Sequence, residues 1–323
     1  MKNILINDKI LDISKNHFNY LMTLENVVGV GLGYKNINKI TTSEPCLHVL
    51  VEKKIDSNHI TSSNLIPKTY MGIKTDVIDN GVFSACLLNI DLINKVRPLE
   101  CGYCIGGGKI TTGTLGCIVT KTIKKKKEYF ILSNNHVLAG TNTLPIGTPI
   151  VQPSFNFTEA IDEYKIASLC DFVKLKLKNQ LYFPNNYIDC AIAKIENKAL
   201  IPITNKIALN NGIVRGLASN VYLDLKVKKV GYTTGLTTGK ITTIGTTIDV
   251  KFPKATQPIR FKDQILSDMQ NGSGDSGSLV LTESNDAIGL LFAGSKNSTV
   301  MNDIKKVLKG LKIDLYLGFN PFI

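Results

Sequence analysis

The stretch Asn271-Gly-Ser-Gly-Asp-Ser-Gly-Ser-Leu-Val280 sets one aspartate and three serines among three glycines and runs straight into an apolar segment. As structure alone it is a turn, with glycine supplying positive φ and Asp and Ser bonding back to their own backbone ahead of a strand. As chemistry it is a nucleophile turn. A serine hydroxyl needs a neighbouring base to attack, and acyl transfer needs backbone N–H donors where the oxyanion develops. Glycine at 274 would keep a side chain out of the space a substrate carbonyl must enter, and glycine at 277 permits a tight turn. If Ser276 is the nucleophile, the chain must also supply a histidine for its proton and a carboxylate for the histidine.

Four histidines are available. His17 falls on the apolar stripe of a helix expected over residues 4–24, with Ile10, Ile13, Tyr20, Leu21 and Leu24. His48 sits inside the strand-like Leu47-His-Val-Leu-Val51, and His59 in a polar stretch. His136 differs, because it emerges from Glu128-Tyr-Phe-Ile-Leu-Ser133 into Ser133-Asn-Asn-His-Val-Leu-Ala-Gly140. For the carboxylate, Asp189 opens the apolar run Asp189-Cys-Ala-Ile-Ala, where a charge is costly unless something bonds it; Asp171 competes.

The order His136, Asp189, Ser276 is that of the chymotrypsin architecture, distinct from the orders of subtilisin and the α/β-hydrolases. With SNNHVLAG, DCAIA and GSGDSGSLV as its three motifs, the segment from about 98 to 300 resembles a trypsin-like, chymotrypsin-fold serine peptidase. Lys229-Val-Gly-Tyr-Thr-Thr-Gly-Leu-Thr-Thr-Gly239 and Ala287-Ile-Gly-Leu-Leu-Phe-Ala-Gly294 are similar to the strands that precede the serine and line the cleft in bacterial members. The whole arrangement is similar to a set of bacterial trypsin-like proteins that also includes the catalytic region of plant NARROW LEAF 1. The resemblance implies a mainly β, chymotrypsin-like double β-barrel, here with an N-terminal α+β extension (1–97) and a protease domain (98–323) that ends in a helix. It implies His136 as base, Asp189 as its orienting carboxylate, the amides of Gly274 and Ser276 as oxyanion hole, and Gln270, Phe292, Ala293 and Gly294 as substrate-binding positions. No cofactor and no metal is called for.

The departures from that family are specific. Residue 270, six before the nucleophile, is Gln, so cleavage after Lys or Arg is not implied. Phe292 stands where the family usually has a serine beside the triad aspartate, so Asp189 is expected to lack one hydrogen bond. No activation peptide is visible, so Asp275 must find an internal partner or the enzyme is latent. A protease-fold binding or scaffold module without turnover is the alternative reading.

Composition limits the other function classes. At 323 residues, 43% hydrophobic and 20% charged, the chain can bury a large core, and no apolar run approaches a membrane span. The N-terminus breaks its apolar residues with Asn, Asp and Lys and has no signal-like segment, so a cytoplasmic protein is expected. Seven scattered cysteines fit a reducing compartment, and Cys101-Gly-Tyr-Cys104 lacks the further ligands of a zinc site. The net charge of +12 suggests nucleic acid, but only Arg97, Arg215 and Arg260 of the 38 basic residues are arginine, and Lys124–Lys127 reads as a hairpin tip. The expected partner is a protein or peptide substrate, with a regulatory partner besides; no membrane and no nucleic acid is expected. Gly29, Gly31 and Gly33 lack the spacing and the helix of a phosphate loop. Strands are expected at 114–120, 128–134, 148–152, 188–195, 226–232, 239–250, 277–282 and 287–293, a helix at 301–312, and a linker around Pro98 to Gly108.

Overall fold

The computed structural model describes residues 2–37, 40–81, 90–108, 110–154, 161–178, 182–195, 203–209, 211–252, 255 and 257–318. It opens with helix α1 (Lys2–Asn16), which buries Ile10 and Ile13 completely. The helix is shorter than its spacing predicts. Residues beyond it tighten into a 3-10 turn at Leu21–Thr23, which still carries Leu21 and Leu24 into the same core. His17 is off the buried stripe: it is half exposed, 3.5 Å from Asp12. Next come β1 (Val27–Ile37), β2 (Ile40–Val51) and β3 (Ile73–Asp79), with β2 antiparallel to β1 and parallel to β3. The glycines of β1 are strand residues that make room. A Cβ at Gly33 would strike the His48 ring, and one at Gly31 would strike Thr243 and Thr246.

From residue 104 the alternating apolar segments become six strands in the order β5-β6-β9-β8-β7-β4. They are β4 (Cys104–Gly107), β5 (Cys117–Ile123), β6 (Lys126–Ser133), β7 (Pro149–Val151), β8 (Lys165–Phe172) and β9 (Ala191–Lys194). All six send side chains into one core, among them Ile105, Ile118, Ile131, Ile150, Leu169 and Ala193, so the sheet is rolled up. The expected linker at 98–108 is corrected here: Leu99–Cys101 and Cys104–Gly107 are buried strands. Gly106 and Gly107 serve close packing, since a Cβ at Gly107 would meet the Leu138 carbonyl and one at Gly106 the Thr111 carbonyl, whereas Gly108 takes a positive φ of +56° in open space. Lys124–Lys127 is the exposed tip of the β5–β6 hairpin, with both turn residues, Lys124 and Lys125, at positive φ.

The second barrel contains β10 (Lys226–Gly231), β11 (Gly235–Val250), β12 (Ile259–Ser267), β13 (Leu279–Thr282), β14 (Asp286–Gly294) and β15 (Thr299–Asp303). Pairing runs β10-β11-β12-β15-β14-β13 and returns to β10, a closed ring with no free edge inside it. Helix α3 (Ile304–Leu311) follows at once, capped by Asp303, whose side chain accepts from Lys305 N. It starts later than the expected 301 because Met301–Asp303 still pair in β15. Ile304, Val307, Leu308 and Leu311 pack with Val119, Leu132, Val230 and Leu281 from both barrels. The fold is a chymotrypsin-like double β-barrel.

The N-terminal strands belong to the second barrel's sheet. β1 pairs antiparallel with β11, and the sheet continues through β2 to β3. Ile10, Val30, Leu32 and Val49 share one core with Ile241, Ile265 and Met301.

Candidate active site

Each of the three chemical residues sits where a regular element stops. His136 lies in the short helix α2 (Asn135–Leu138) directly after β6. The two asparagines before it explain that motif: Asn134 Nδ2 donates to the Asp189 carbonyl (2.8 Å), and Asn135 Nδ2 donates to the Val173 carbonyl (2.8 Å). Asp189, two residues ahead of β9, is 0% exposed. One carboxylate oxygen is 2.6 Å from His136 Nδ1 and the other accepts the His136 amide at 3.3 Å. The Asp189 amide donates to Asn302 Oδ1 (2.8 Å), and Asn302 donates in turn to Gln264 Oε1 (2.7 Å). Asp171 is elsewhere, half exposed and 3.7 Å from Lys121. His48 and His59 also lie away from this cluster, one against Thr243 and the Tyr34 carbonyl, the other in an exposed 3-10 turn.

Ser276 stands in the turn between Gly274 (φ +102°) and Gly277 (φ +95°), conformations that favour glycine. The reason for Gly274 differs from the expected one. A Cβ there would run into the Tyr232 ring, so the glycine admits a packed aromatic. A Cβ at Gly277 would strike Ser133 Oγ and the Thr114 carbonyl. Thr114, from the first barrel, clamps the turn: its amide donates to the Ser276 carbonyl (2.8 Å) and its hydroxyl to the Gly274 carbonyl (2.8 Å). Among the described residues no hydrogen-bond partner is present for the amides of Gly274 and Ser276. The Ser276 hydroxyl donates to the Phe292 carbonyl at 3.5 Å, the outer limit of a hydrogen bond.

Asp275 has an internal partner. Its carboxylate lies 2.9 Å from Lys229 Nζ, both side chains fully buried. It also accepts the amides of Thr233 (3.0 Å), Thr234 (3.1 Å) and Gly272 (2.9 Å) and the Thr234 hydroxyl (2.6 Å). Burial holds the Lys229 ammonium below the ordinary lysine range, with Asp275 pulling the other way. Lys229 was not singled out from the sequence. A lysine in the apolar alternation of β10, where valines stand on either side of the pair Lys228-Lys229, was the available signal.

His136, Ser276, Gly274, Phe292, Ala293 and Gly294 line one cavity of about 140 Å³, with Asn271 and Lys251 also on its wall. Gln270 does not line it. Its side chain is exposed, and its carbonyl accepts the Thr237 hydroxyl (2.9 Å), which turns residue 270 outward and leaves Asn271 facing the cavity. The Phe292 side chain lies in a buried cluster, 4.6 Å from the Phe261 ring, and having no polar atom it offers Asp189 no hydrogen bond. Phe252 packs edge-on against the His136 ring at 5.2 Å.

Cys101 and Cys104 are buried thiols, with Cys101 pushed up to about 12 by burial and Cys104 Sγ 3.0 Å from the Ser154 hydroxyl. Cys46, His48 and Asp76 place donor atoms within 4.8 Å of one another. Both imidazole nitrogens of His48 are engaged, by Thr243 and the Tyr34 carbonyl, and Lys35 lies 3.6 Å from Asp76, so the trio is a satisfied polar cluster. Among the described residues no helix is long and apolar enough to cross a membrane.

No family model matches the chain, and no curated protein does. Among solved structures it is similar to Thermobifida fusca Protease A (18% identity, TM-score 0.47, covering 68% of this chain and 98% of that one). It is similar to Cellulomonas bogoriensis chymotrypsin (16%, TM-score 0.47, 68% and 98%) and to Nocardiopsis protease (17%, TM-score 0.46, 67% and 97%).

Proposed function

We propose that this chain is a serine endopeptidase of the trypsin-like type, acting through His136, Asp189 and Ser276 and an acyl-enzyme. The observation that carries the proposal is the buried Asp189 carboxylate 2.6 Å from His136 Nδ1, in a cleft that also holds Ser276 and two unengaged amides. Asp189 accepting from Nδ1–H leaves Nε2 as the acceptor for a serine proton. In the productive complex the Ser276 hydroxyl leaves the Phe292 carbonyl for that nitrogen; catalytic hydrogen bonds often tighten only when substrate arrives. His136 takes the proton as Ser276 Oγ attacks the peptide carbonyl, and returns it to the leaving amine. The amides of Gly274 and Ser276 receive the developing oxyanion, worth about 3 kcal/mol per donor. Water then repeats the sequence to release the acid.

Among the described residues no acidic group lines the cavity and Lys251 stands on its wall, which supports a residue other than Lys or Arg before the scissile bond. Limited cleavage of a protein substrate inside the cell, with the N-terminal segment and the basic surface orienting that substrate or a regulator, completes the proposal. So does membership in the bacterial trypsin-like set that includes NARROW LEAF 1. Phe292 in place of a hydrogen-bonding residue and the Ser276 hydroxyl turned to a carbonyl favour the second reading, a silent protease-fold module.

Fluorophosphonate labelling read by intact mass and peptide mapping separates the two. One adduct on Ser276, lost in both His136→Ala and Ser276→Ala, is the expected result. Labelling at another residue, or none in the full-length protein, removes the peptidase assignment.

A further inference from the structure

One wall of the cavity is held from a distant part of the chain. Asn271 Nδ2 donates to the carbonyls of Ser295 (3.2 Å) and Ser298 (3.0 Å), so its side chain bridges the segment before the nucleophile and the loop after β14. Gly294 permits that crossing, because a Cβ there would collide with the Asn271 carboxamide. The loop turns back on itself, with the Ser295 amide donating to the Ser298 carbonyl (2.7 Å). Both of its serine hydroxyls are gripped by one residue, Asn80, just past β3. Ser298 Oγ donates to Asn80 Oδ1, Ser295 Oγ donates to the Asn80 carbonyl (2.6 Å), and Asn80 Nδ2 donates back to Ser295 Oγ (3.3 Å). Asn80 is 1% exposed and anchored by its own amide to the Val51 carbonyl (2.9 Å). Asn297 adds a bond to the Asp79 carbonyl (3.4 Å).

We propose that Asn80 is a specificity-determining positioning residue: through Ser295 and Ser298 it fixes Asn271, and so the depth of the pocket that takes the side chain before the scissile bond. The proposal rests on the peptidase reading. A substrate-binding loop has few stabilising contacts of its own, so an external brace decides whether it holds one conformation. Asn80 makes three buried polar contacts to a loop of four residues, and that loop supplies both acceptors of Asn271. The N-terminal segment thereby becomes part of substrate selection without touching substrate.

The test uses full-length protein, with Asn80→Ala, Asn80→Asp, Ser298→Ala and the double variant Asn80→Ala/Ser298→Ala. Three quantities are measured: kcat/KM on peptides differing only in Ala, Val, Leu or Phe before the scissile bond, Ser276 labelling by a small fluorophosphonate, and hydrogen exchange over residues 271–274. The Phe-to-Ala ratio is expected to shift at least about tenfold in Asn80→Ala, the size of a pocket-level discrimination. The labelling rate should stay within about twofold, since the small probe leaves the pocket empty. Asn80→Asp keeps the acceptor for Ser298 and should shift the ratio less, and the double variant should shift it no further than Asn80→Ala alone. A lower Tm with an unchanged ratio overturns the proposal. Should Asn80→Ala fail to fold, Asn80→Asp and Ser298→Ala decide on the same ratio. If wild-type protein does not label, the peptidase reading has failed separately; faster exchange at 271–274 in Asn80→Ala then still supports the brace, and unchanged exchange overturns it.

Discussion

At the scale of single residues, the burial of Lys229 beside Asp275 governs whether the nucleophile turn holds its shape. Replacing one member of a fully buried ion pair strands the other charge, so Lys229→Met should cost about 3–5 kcal/mol and abolish labelling of Ser276. Lys229→Met/Asp275→Asn removes both charges and should recover part of the stability, as denaturant midpoints would show; no recovery would mean that the pair is not what the lysine supplies. The depressed ammonium also sets a pH dependence. As pH rises through the folded pKa, Lys229 neutralises and Asp275 loses its cation. The unfolded chain holds that proton to higher pH, so between the two pKa values this titration makes folding relatively more favourable as pH rises. Labelling is therefore expected to fall on the alkaline side while Tm over the same window does not fall with it, and parallel losses would point to general unfolding. His136, Asp189 and Ser276 were legible because their motifs are local. Thr114, Asn302 and Asn271 were not, because each acts through a contact far away in sequence, and Lys229 was marked only by its place in the apolar alternation of β10.

At the scale of elements, most strands could be read from alternation, and two of those missed share a cause. β8 and β12 carry Asp, Lys or Arg among their apolar residues, which breaks the pattern; β12 places Arg260 against Asp249 of β11 in a two-bond ion pair. The length of β11 was not legible either, because one strand serves three neighbours. It closes the second barrel through β10 and β12 and also carries β1, and it bends at Gly245, where φ is +65°. Helix α1 is pinned at that bend, with the Ser14 hydroxyl donating to the Gly245 carbonyl (2.9 Å) and the Thr247 hydroxyl to the Ser14 carbonyl (2.7 Å). A Cβ at 245 would strike Leu11 as well as strain the backbone. Gly245→Ala should cost about 1–3 kcal/mol by denaturant unfolding. Labelling per folded molecule should be kept, because the bend lies away from the cavity. A neutral Gly245→Ala would show that α1 yields easily and that the pin is weak.

At the scale of the whole molecule, the division into a 1–97 extension and a 98–323 domain follows the boundary of a resemblance, whereas the packing follows the sheet. The triad motifs lie only in the later segment, and sequence had no means of saying that Val30, Leu32 and Val49 would complete a core begun by Ile241, Ile265 and Met301. Removing residues 1–97 would bare that apolar surface and leave β11 with an unpaired edge along the stretch that β1 now covers, both of which invite aggregation. Residues 98–323 made alone are thus expected to be insoluble, or to bind a hydrophobic dye without a cooperative thermal transition. Adding residues 1–97 as a separate chain should restore the transition and Ser276 labelling together, because the lost contacts are side-chain packing and backbone pairing that need no covalent link. A 98–323 fragment that melted cooperatively by itself would show that the extension decorates a self-sufficient pair of barrels, and the shared core would then contribute little to holding the cleft.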